Sequence, residues 1–172
     1  QTAKPRNLEN PELYAIYPFR LFGLGMPDLE LARRSFRMRA FKDKGCWVQD
    51  PIQAAMLGLT DAAKDYVHYN FTRKDPNKKF PAFWDVGHDE SPDQDNGGNG
   101  QNGLQQMLIQ SVGRRIYLLP AWPKDWNVHF KLHAAFNTTV EAELKNGIIQ
   151  TLKVLPASRI KDIDTSFKVE QH

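Results

Sequence analysis

The stretch that decides the fold runs from Thr139 to Ile148 and reads TVEAELKNGI. Its apolar and polar residues alternate as far as Leu144, which is the period of a half-buried β-strand. Asn146 and Gly147 follow, and this pair favours a two-residue hairpin turn because both residues tolerate a positive φ. An apolar run resumes at Ile148. The stretch therefore predicts an antiparallel β-hairpin.

The same strand-like pattern extends to both sides of the hairpin. Residues 116–119 form a short apolar run, residues 128–133 alternate, and residues 148–155 continue the second strand. A last strand is expected around residues 167–169. We predict that residues 114–172 form a small antiparallel β-sandwich domain.

Residues 1–113 instead show the spacing of helices. Helices are predicted over residues 11–22, 28–38, 51–57, 60–71 and 104–112. Asp50 and Thr60 stand at two of the predicted starts, where they serve as N-caps. Residues 72–103 are predicted to be a long loop, because they are rich in acidic residues and glycine. The predicted fold class is thus α+β, with helices first and a sheet domain second.

Composition excludes several classes of protein. The chain has 172 residues, of which 41% are hydrophobic and 25% charged, so it can fill a core and is not disordered. Its apolar runs are far shorter than the roughly 20 residues of a membrane span. A net charge of +3 is too weak to indicate nucleic acid. The single cysteine, Cys46, excludes an internal disulfide and a cysteine-rich zinc site.

An acidic and glycine-rich segment carries the strongest chemical signal. Between Asp85 and Asp95 there are five carboxylates and no Lys or Arg, and residues 96–100 read NGGNG. Three interpretations stay open: a catalytic carboxylate, a calcium site, or a solvated loop. The EF-hand pattern fails, because Gly97 and Leu104 stand where oxygen ligands belong. The phosphate-loop and dinucleotide patterns fail as well.

Aromatic residues make up 11% of the chain and can form a core, an interface or a platform for sugars. Trp47, Gln49 and Asp50 combine an indole with polar side chains that bind hydroxyl groups, and Trp84 precedes the acidic segment. The alternative for Trp47 is an ordinary place in the core. Trp122 and Trp126 are expected to pack at the junction between helices and strands.

Five segments together resemble glycoside hydrolase family 95. Residues 91–100 read SPDQDNGGNG and residues 104–111 read LQQMLIQS, which resembles the segment that bears the family's catalytic base. Residues 13–18 (LYAIYP), Cys46-Trp47 and residues 116–124 (IYLLPAWPK) follow the family's order. The family comprises inverting enzymes, including α-L-fucosidases, that are built on an (α/α)6 toroid. The resemblance implies that residues 1–113 are the last helices of such a toroid.

The resemblance also implies roles for individual residues. Asp95 matches the catalytic base, and Asp93 is the second candidate. The family's acid is a Glu upstream of every segment seen here, so the chain is expected to supply the base and to be inactive alone. We expect the sugar subsites to be lined by Trp47, Gln49, Asp50, Trp84, His88, Asp89, Glu90, Asn96 and Asn99.

Further expectations follow from the same resemblance. The substrate is an oligosaccharide or glycan, no metal or other cofactor is expected, and the enzyme is expected to be periplasmic or secreted in bacteria. Apolar helix faces predict self-association or pairing with the N-terminal part of the toroid. The alternative function is a non-catalytic domain that binds carbohydrate or is stabilised by calcium.

Overall fold

A computed structural model describes residues 9–45, 47–73 and 94–170, and within them four α-helices precede seven β-strands. The helices are α1 (Leu29–Met38), α2 (Asp50–Met56), α3 (Thr60–Thr72) and α4 (Gln94–Leu108). The strands are β1 (Ile109–Val112), β2 (Arg115–Leu118), β3 (Val128–Ala134), β4 (Thr138–Lys145), β5 (Ile148–Leu155), β6 (Ile163–Asp164) and β7 (Lys168–Val169). Short 3-10 helices cover Pro11–Ala15 and Ala157–Asp162. The predicted α+β class, with helices before strands, is confirmed.

The strands form two small sheets, one in the order β1-β2-β6 and the other in the order β3-β4-β5-β7. Most neighbours are antiparallel, but the two-residue strands β6 and β7 pair in parallel with β2 and β5. The prediction of purely antiparallel pairing is wrong for these two edge strands. Parallel pairing needs a crossover connection, which the segment containing the second 3-10 helix provides between β5 and β7.

The predicted hairpin is confirmed as β4 and β5. Asn146 has φ 51° and Gly147 has φ 76°, the two positive values that a type I′ turn requires. The backbone N–H of Asn146 also donates to Oδ1 of Asn127 at 2.9 Å. The register pairs Lys145 with Ile148 and shifts between Glu143 and Leu144.

One hydrophobic core joins the helices to both sheets. Ile52, Val67 and Met107 contribute from the helices, and they belong to the same buried cluster as Ile116 and Leu144 from the strands. On β4 the buried residues alternate with partly exposed ones, as the sequence pattern predicts.

Helix α4 differs most from the sequence-based prediction. It begins at Gln94 inside the predicted loop, and residues 109–112 form β1 where a helix was expected. Close packing explains why the glycine-rich segment is helical. A Cβ built on Gly103 would lie 2.7 Å from Cβ of Pro51, and one on Gly100 would lie 3.2 Å from Cβ of Asn70. The glycines let three helix backbones approach, and this contact outweighs glycine's weak helix propensity. Residues 74–93 of the predicted loop lie outside the described residues.

The first predicted helix is also wrong in extent, because only Pro11–Ala15 is helical and in the 3-10 form. Pro18 disfavours α-helical backbone at the residue before it. Among the helices of the described segments, none combines the length and hydropathy needed to cross a bilayer.

Candidate functional site

A small polar pocket of about 80 Å3 opens where the chain enters α2. Its walls are formed by Glu9, Asn10, Tyr14, Trp47, Val48, Gln49, Asp50 and Gln53. Three residues predicted to contact sugar, Trp47, Gln49 and Asp50, therefore line one cavity. The structure places them together because they precede or begin the same helix.

Asp50 is 2% exposed and forms a buried ion pair with Arg39. The Nε of Arg39 donates to Asp50, and its other nitrogens donate to the hydroxyl of Tyr66 and the carbonyl of Phe36. Burial raises the pKa of Asp50 to about 6, although the charge and hydrogen bond of Arg39 act in the opposite direction. Arg39 thus compensates the one carboxylate that lies deep behind the pocket.

Two glutamine residues of the pocket walls have buried amide oxygens. Gln53 is 2% exposed, and neither its Oε1 nor the buried Oε1 of Gln49 has a hydrogen-bond partner among the described residues. Gln49 is the N-cap residue of α2 and Gln53 lies in its first turn, where the backbone N–H of Gln53 donates to the carbonyl of Gln49 at 3.1 Å. Both side-chain oxygens are closed off from solvent, so they belong to the interior behind the pocket rather than to the surface that a ligand would meet.

Glu9 and Tyr14 form the opposite wall. The hydroxyl of Tyr14 donates to Oε2 of Glu9 at 2.7 Å. This hydrogen bond, together with burial and the negative charge of Glu9, raises the pKa of Tyr14 and keeps the phenol neutral. One oxygen of the Glu9 carboxylate is therefore occupied by a phenolic donor.

The predicted base lies at the beginning of α4. Asp95 is exposed in the first turn, and Asn99 one turn later is half-buried. Asn96 is fully buried: its Nδ2 donates to the carbonyl of Asn70 at 3.0 Å, and Nδ2 of Asn70 donates back to the carbonyl of Asn96 at 3.0 Å. Asn96 thus fixes the beginning of α4 to the end of α3.

Helices α2 and α4 run in the same direction. Gly103 packs against Pro51 at the start of α2, and just beyond the end of α4, Nε2 of Gln110 in β1 donates to the carbonyl of Ala55 near the end of α2 at 2.7 Å. Asp95 precedes Gly103 by two helical turns, or about 12 Å along the axis. Because α2 begins beside Gly103, Asp95 lies about 12 Å beyond the start of α2 along the helix axis.

The remaining predicted site residues are Trp84, His88, Asp89, Glu90 and Asp93, which lie outside the described residues. Their roles stay predictions, as do those of the residues that the structure places. Among the His, Cys, Asp and Glu side chains of the described segments, no group of three could hold a metal ion.

Sequence analysis missed Glu9, Tyr14, Gln53 and Arg39. Gln53 could have been found from its spacing of four residues from Gln49. The other three come from separate segments, and no local pattern connects them with α2. Comparison with models of known protein families gave no match, and comparison with curated proteins gave no significant match either.

Proposed function

We propose that this chain is the C-terminal portion of an inverting glycoside hydrolase resembling family 95, in which Asp95 is the catalytic base. The proposal is supported by one observation above all: the beginnings of the parallel helices α2 and α4 point to the same side of the helical layer. The pocket lined by Trp47 and Gln49 opens at the beginning of α2, and the exposed carboxylate of Asp95 stands on that side about 12 Å further along the axis.

The pocket suits part of a sugar. An indole offers an apolar wall to the C–H face of a pyranose ring, and the half-buried carboxylate of Glu9 accepts hydrogen bonds from hydroxyl groups. A cavity of about 80 Å3 holds a substituent or one edge of a ring, so the remainder of a glycan would extend out of the mouth. This arrangement supports recognition of one end of the substrate.

The exposure of Asp95 supports its assignment as the base. It is exposed to solvent in the first turn of α4, where the positive end of the helix dipole stabilises a carboxylate. In an inverting mechanism this carboxylate takes a proton from the attacking water. The acid stands roughly 6.5–9.5 Å away and protonates the leaving oxygen. In our proposal that acid comes from the N-terminal part of the enzyme.

The test is hydrolysis by the complete enzyme. Asp95→Asn should lower kcat by about 100-fold to 10000-fold, the range in which a general base contributes, and leave the fold unchanged because the side chain is exposed. The matched control is Asp61→Asn, which alters an exposed aspartate in the first turn of α3.

Near-normal hydrolysis by Asp95→Asn would refute the assignment of the base. Loss of activity in Asp93→Asn alone would transfer the role to that residue. Proton NMR of the first product formed supplies an independent readout, because inversion requires the opposite anomer from the substrate's.

Pairing with another part of the enzyme is the second element of the proposal. Phe19, Leu21, Leu31 and Met38 are each more than half exposed, although they are large and apolar. Large apolar side chains that a protein leaves exposed are favoured places for an interface. We propose that the N-terminal helices of the toroid cover these side chains.

The alternative is a domain that binds carbohydrate without catalysis. It is favoured by the pairing of Asp50 with Arg39, which makes the pocket's deepest carboxylate a structural ion rather than a proton donor. Calorimetry of the chain alone separates the two functions, since a binding module binds glycans by itself and half of a catalytic cleft binds them poorly. A parallel titration with calcium tests the calcium-stabilised form of this alternative.

A further inference from the structure

We infer that Asn70 and Asn96 are positioning residues that hold Asp95 in the orientation in which it acts on the glycan. The inference rests on the proposed function, because it takes Asp95 as the catalytic base. It is carried by a pair of buried hydrogen bonds between α3 and α4, by the glycine content of the first turns of α4, and by one buried oxygen of Asn70.

The two asparagines join α3 and α4 from the interior. Asn70 is 1% exposed and Asn96 is 0% exposed, and each side-chain amide donates to the backbone carbonyl of the other residue at 3.0 Å. The carbonyl of Asn70 is one of the last four of α3, which have no partner within the helix. Because Asn96 is bonded to α3 and closed off from solvent, it acts on the site through its neighbour Asp95 and not through contact with a glycan.

The first turns of α4 depend on this contact for their position. Glycines occupy three of the seven positions from Gln94 to Gly100, and glycine is the poorest helix former after proline. Gly100 follows Asn96 by one turn on the same side, and a Cβ built on it would lie 3.2 Å from Cβ of Asn70. Successive helical residues are turned by about 100°, so the burial of Asn96 fixes the direction in which Asp95 leaves the helix.

The side chain of Asn70 has a feature that stability alone does not explain. Its Oδ1 is buried and has no hydrogen-bond partner among the described residues, and leaving such an atom unpaired destabilises a fold. A leucine of similar shape would avoid that cost and would lose only the hydrogen bond to Asn96. The asparagine thus gives up stability for a directional hydrogen bond to the first turn of α4, which is a pattern that functional sites show.

The experiment compares Asn70→Leu with the wild type, first in hydrolysis by the complete enzyme. There kcat should fall by about 10-fold to 100-fold while KM stays within about twofold, because the sugar pocket is at α2 and only the base is displaced. The thermal midpoint should change by less than about 4 °C, because the unpaired oxygen is removed together with the hydrogen bond.

Hydrogen exchange of this chain, followed by NMR, supplies the second comparison. The amides observed are those of Asn99 and Gly100, which in an α-helix donate to the carbonyls of Asp95 and Asn96. Their exchange should be about tenfold faster in Asn70→Leu, because the first turns of α4 open more often without the hydrogen bond to α3. Asn70→Ala, which removes the same amide and adds no bulk beside Gly100, should give the same split between kcat and KM.

The matched control is Gln110→Met. Gln110 is 2% exposed, its Nε2 donates to the carbonyl of Ala55 at 2.7 Å, and its buried Oε1 has no partner among the described residues. Like Asn70, it joins two elements through a side-chain amide, but it lies just beyond the end of α4 that is opposite to Asp95. Gln110→Met should therefore leave kcat, KM and the exchange at Gly100 unchanged.

The outcomes separate this inference from the proposed function. Unchanged kcat or unchanged exchange in the Asn70 variants overturns the inference, as does an equal fall of kcat in Gln110→Met, which would reveal a general effect of looser packing. A rise in KM without a fall in kcat also overturns it, because the pair would then serve glycan binding. These results leave the proposed function intact. That function fails, and the inference with it, if the complete wild-type enzyme hydrolyses no glycan or if Asp95→Asn keeps near-normal activity.

Discussion

At the scale of single residues, the pair Arg39 and Asp50 shows where sequence reasoning ends. Asp50 was predicted to be an N-cap and a sugar contact, and it does begin α2, but no side-chain cap hydrogen bond forms there. Its carboxylate accepts from Arg39 instead. The position of Asp50 on the helix follows from local chemistry, whereas its partner depends on how two separate segments pack. Trp47 could likewise be predicted for the site because it lies close to Asp50 in the sequence. Glu9 was not predicted, because it reaches the pocket from a separate segment.

Removing Arg39 should destabilise the protein in a pH-dependent way. Arg39→Met leaves a buried carboxylate without its cation and should lower the free energy of unfolding by about 3–5 kcal/mol at neutral pH. In the wild type the folded pKa of Asp50, about 6, already exceeds the ordinary aspartate pKa of 3.8, and without Arg39 it should rise further. The folded state then binds the extra proton, so stability falls as pH rises between the unfolded and folded pKa values.

Urea denaturation at about pH 4 and about pH 7 measures this effect. The loss in Arg39→Met should be larger at the higher pH, where Asp50 must ionise. Arg37→Met is the control, because Arg37 is exposed on the same helix and should change stability by less than about 0.5 kcal/mol. A loss that is equal at the two pH values would contradict the role given to Asp50.

At the scale of elements, the β4–β5 hairpin could be predicted from the sequence, whereas the full length of α4 could not. The hairpin was predictable because Asn146 and Gly147 supply its turn within the local sequence. Helix α4 was not, because its glycines weaken an isolated helix and gain their value only against α2 and α3. The packing of Gly103 on Pro51 and Val67 is a tertiary contact that no window of sequence displays.

Two alanine substitutions in α4 should therefore have opposite effects. A Cβ at Gly103 would lie 2.7 Å from Cβ of Pro51 and 3.0 Å from Cγ2 of Val67. Gly103→Ala should destabilise the protein by about 1–3 kcal/mol through overpacking. A Cβ at Gly98 would meet no atom within 4 Å, so Gly98→Ala should stabilise it by about 0.5–1 kcal/mol.

Thermal unfolding followed by circular dichroism compares the two variants directly. Because both changes add the same methyl group to the same helix, their difference isolates the packing of α4 on α2 and α3. Stabilisation by Gly103→Ala would show that α4 does not pack as closely as described.

At the scale of the whole molecule, sequence patterns predicted the order of helices and strands but not how the two sheets are joined. Arg159 makes that connection and is 4% exposed. Its Nε donates to Oγ1 of Thr138 at the start of β4, and a terminal nitrogen donates to the carbonyl of Arg114 between β1 and β2, both at 3.0 Å. The sequence around Arg159 shows no signal for this role, because its partners are 21 and 45 residues away.

Replacing Arg159 should weaken the whole fold rather than one sheet. Arg159→Met leaves the carbonyl of Arg114 and the carboxylate of Asp162 without this donor, and Asp162 is itself mostly buried. We expect a loss of about 3–5 kcal/mol, since Asp162 then keeps only its 3.5 Å contact with the exposed Arg114 in place of the buried ion pair. Arg115→Met, which alters an exposed arginine of β2, should cost less than about 1 kcal/mol.

Because one core joins helices and sheets, fluorescence and far-ultraviolet circular dichroism should report the same lowered urea midpoint in Arg159→Met. Separate transitions for the two probes would instead show that the helical and strand regions unfold independently.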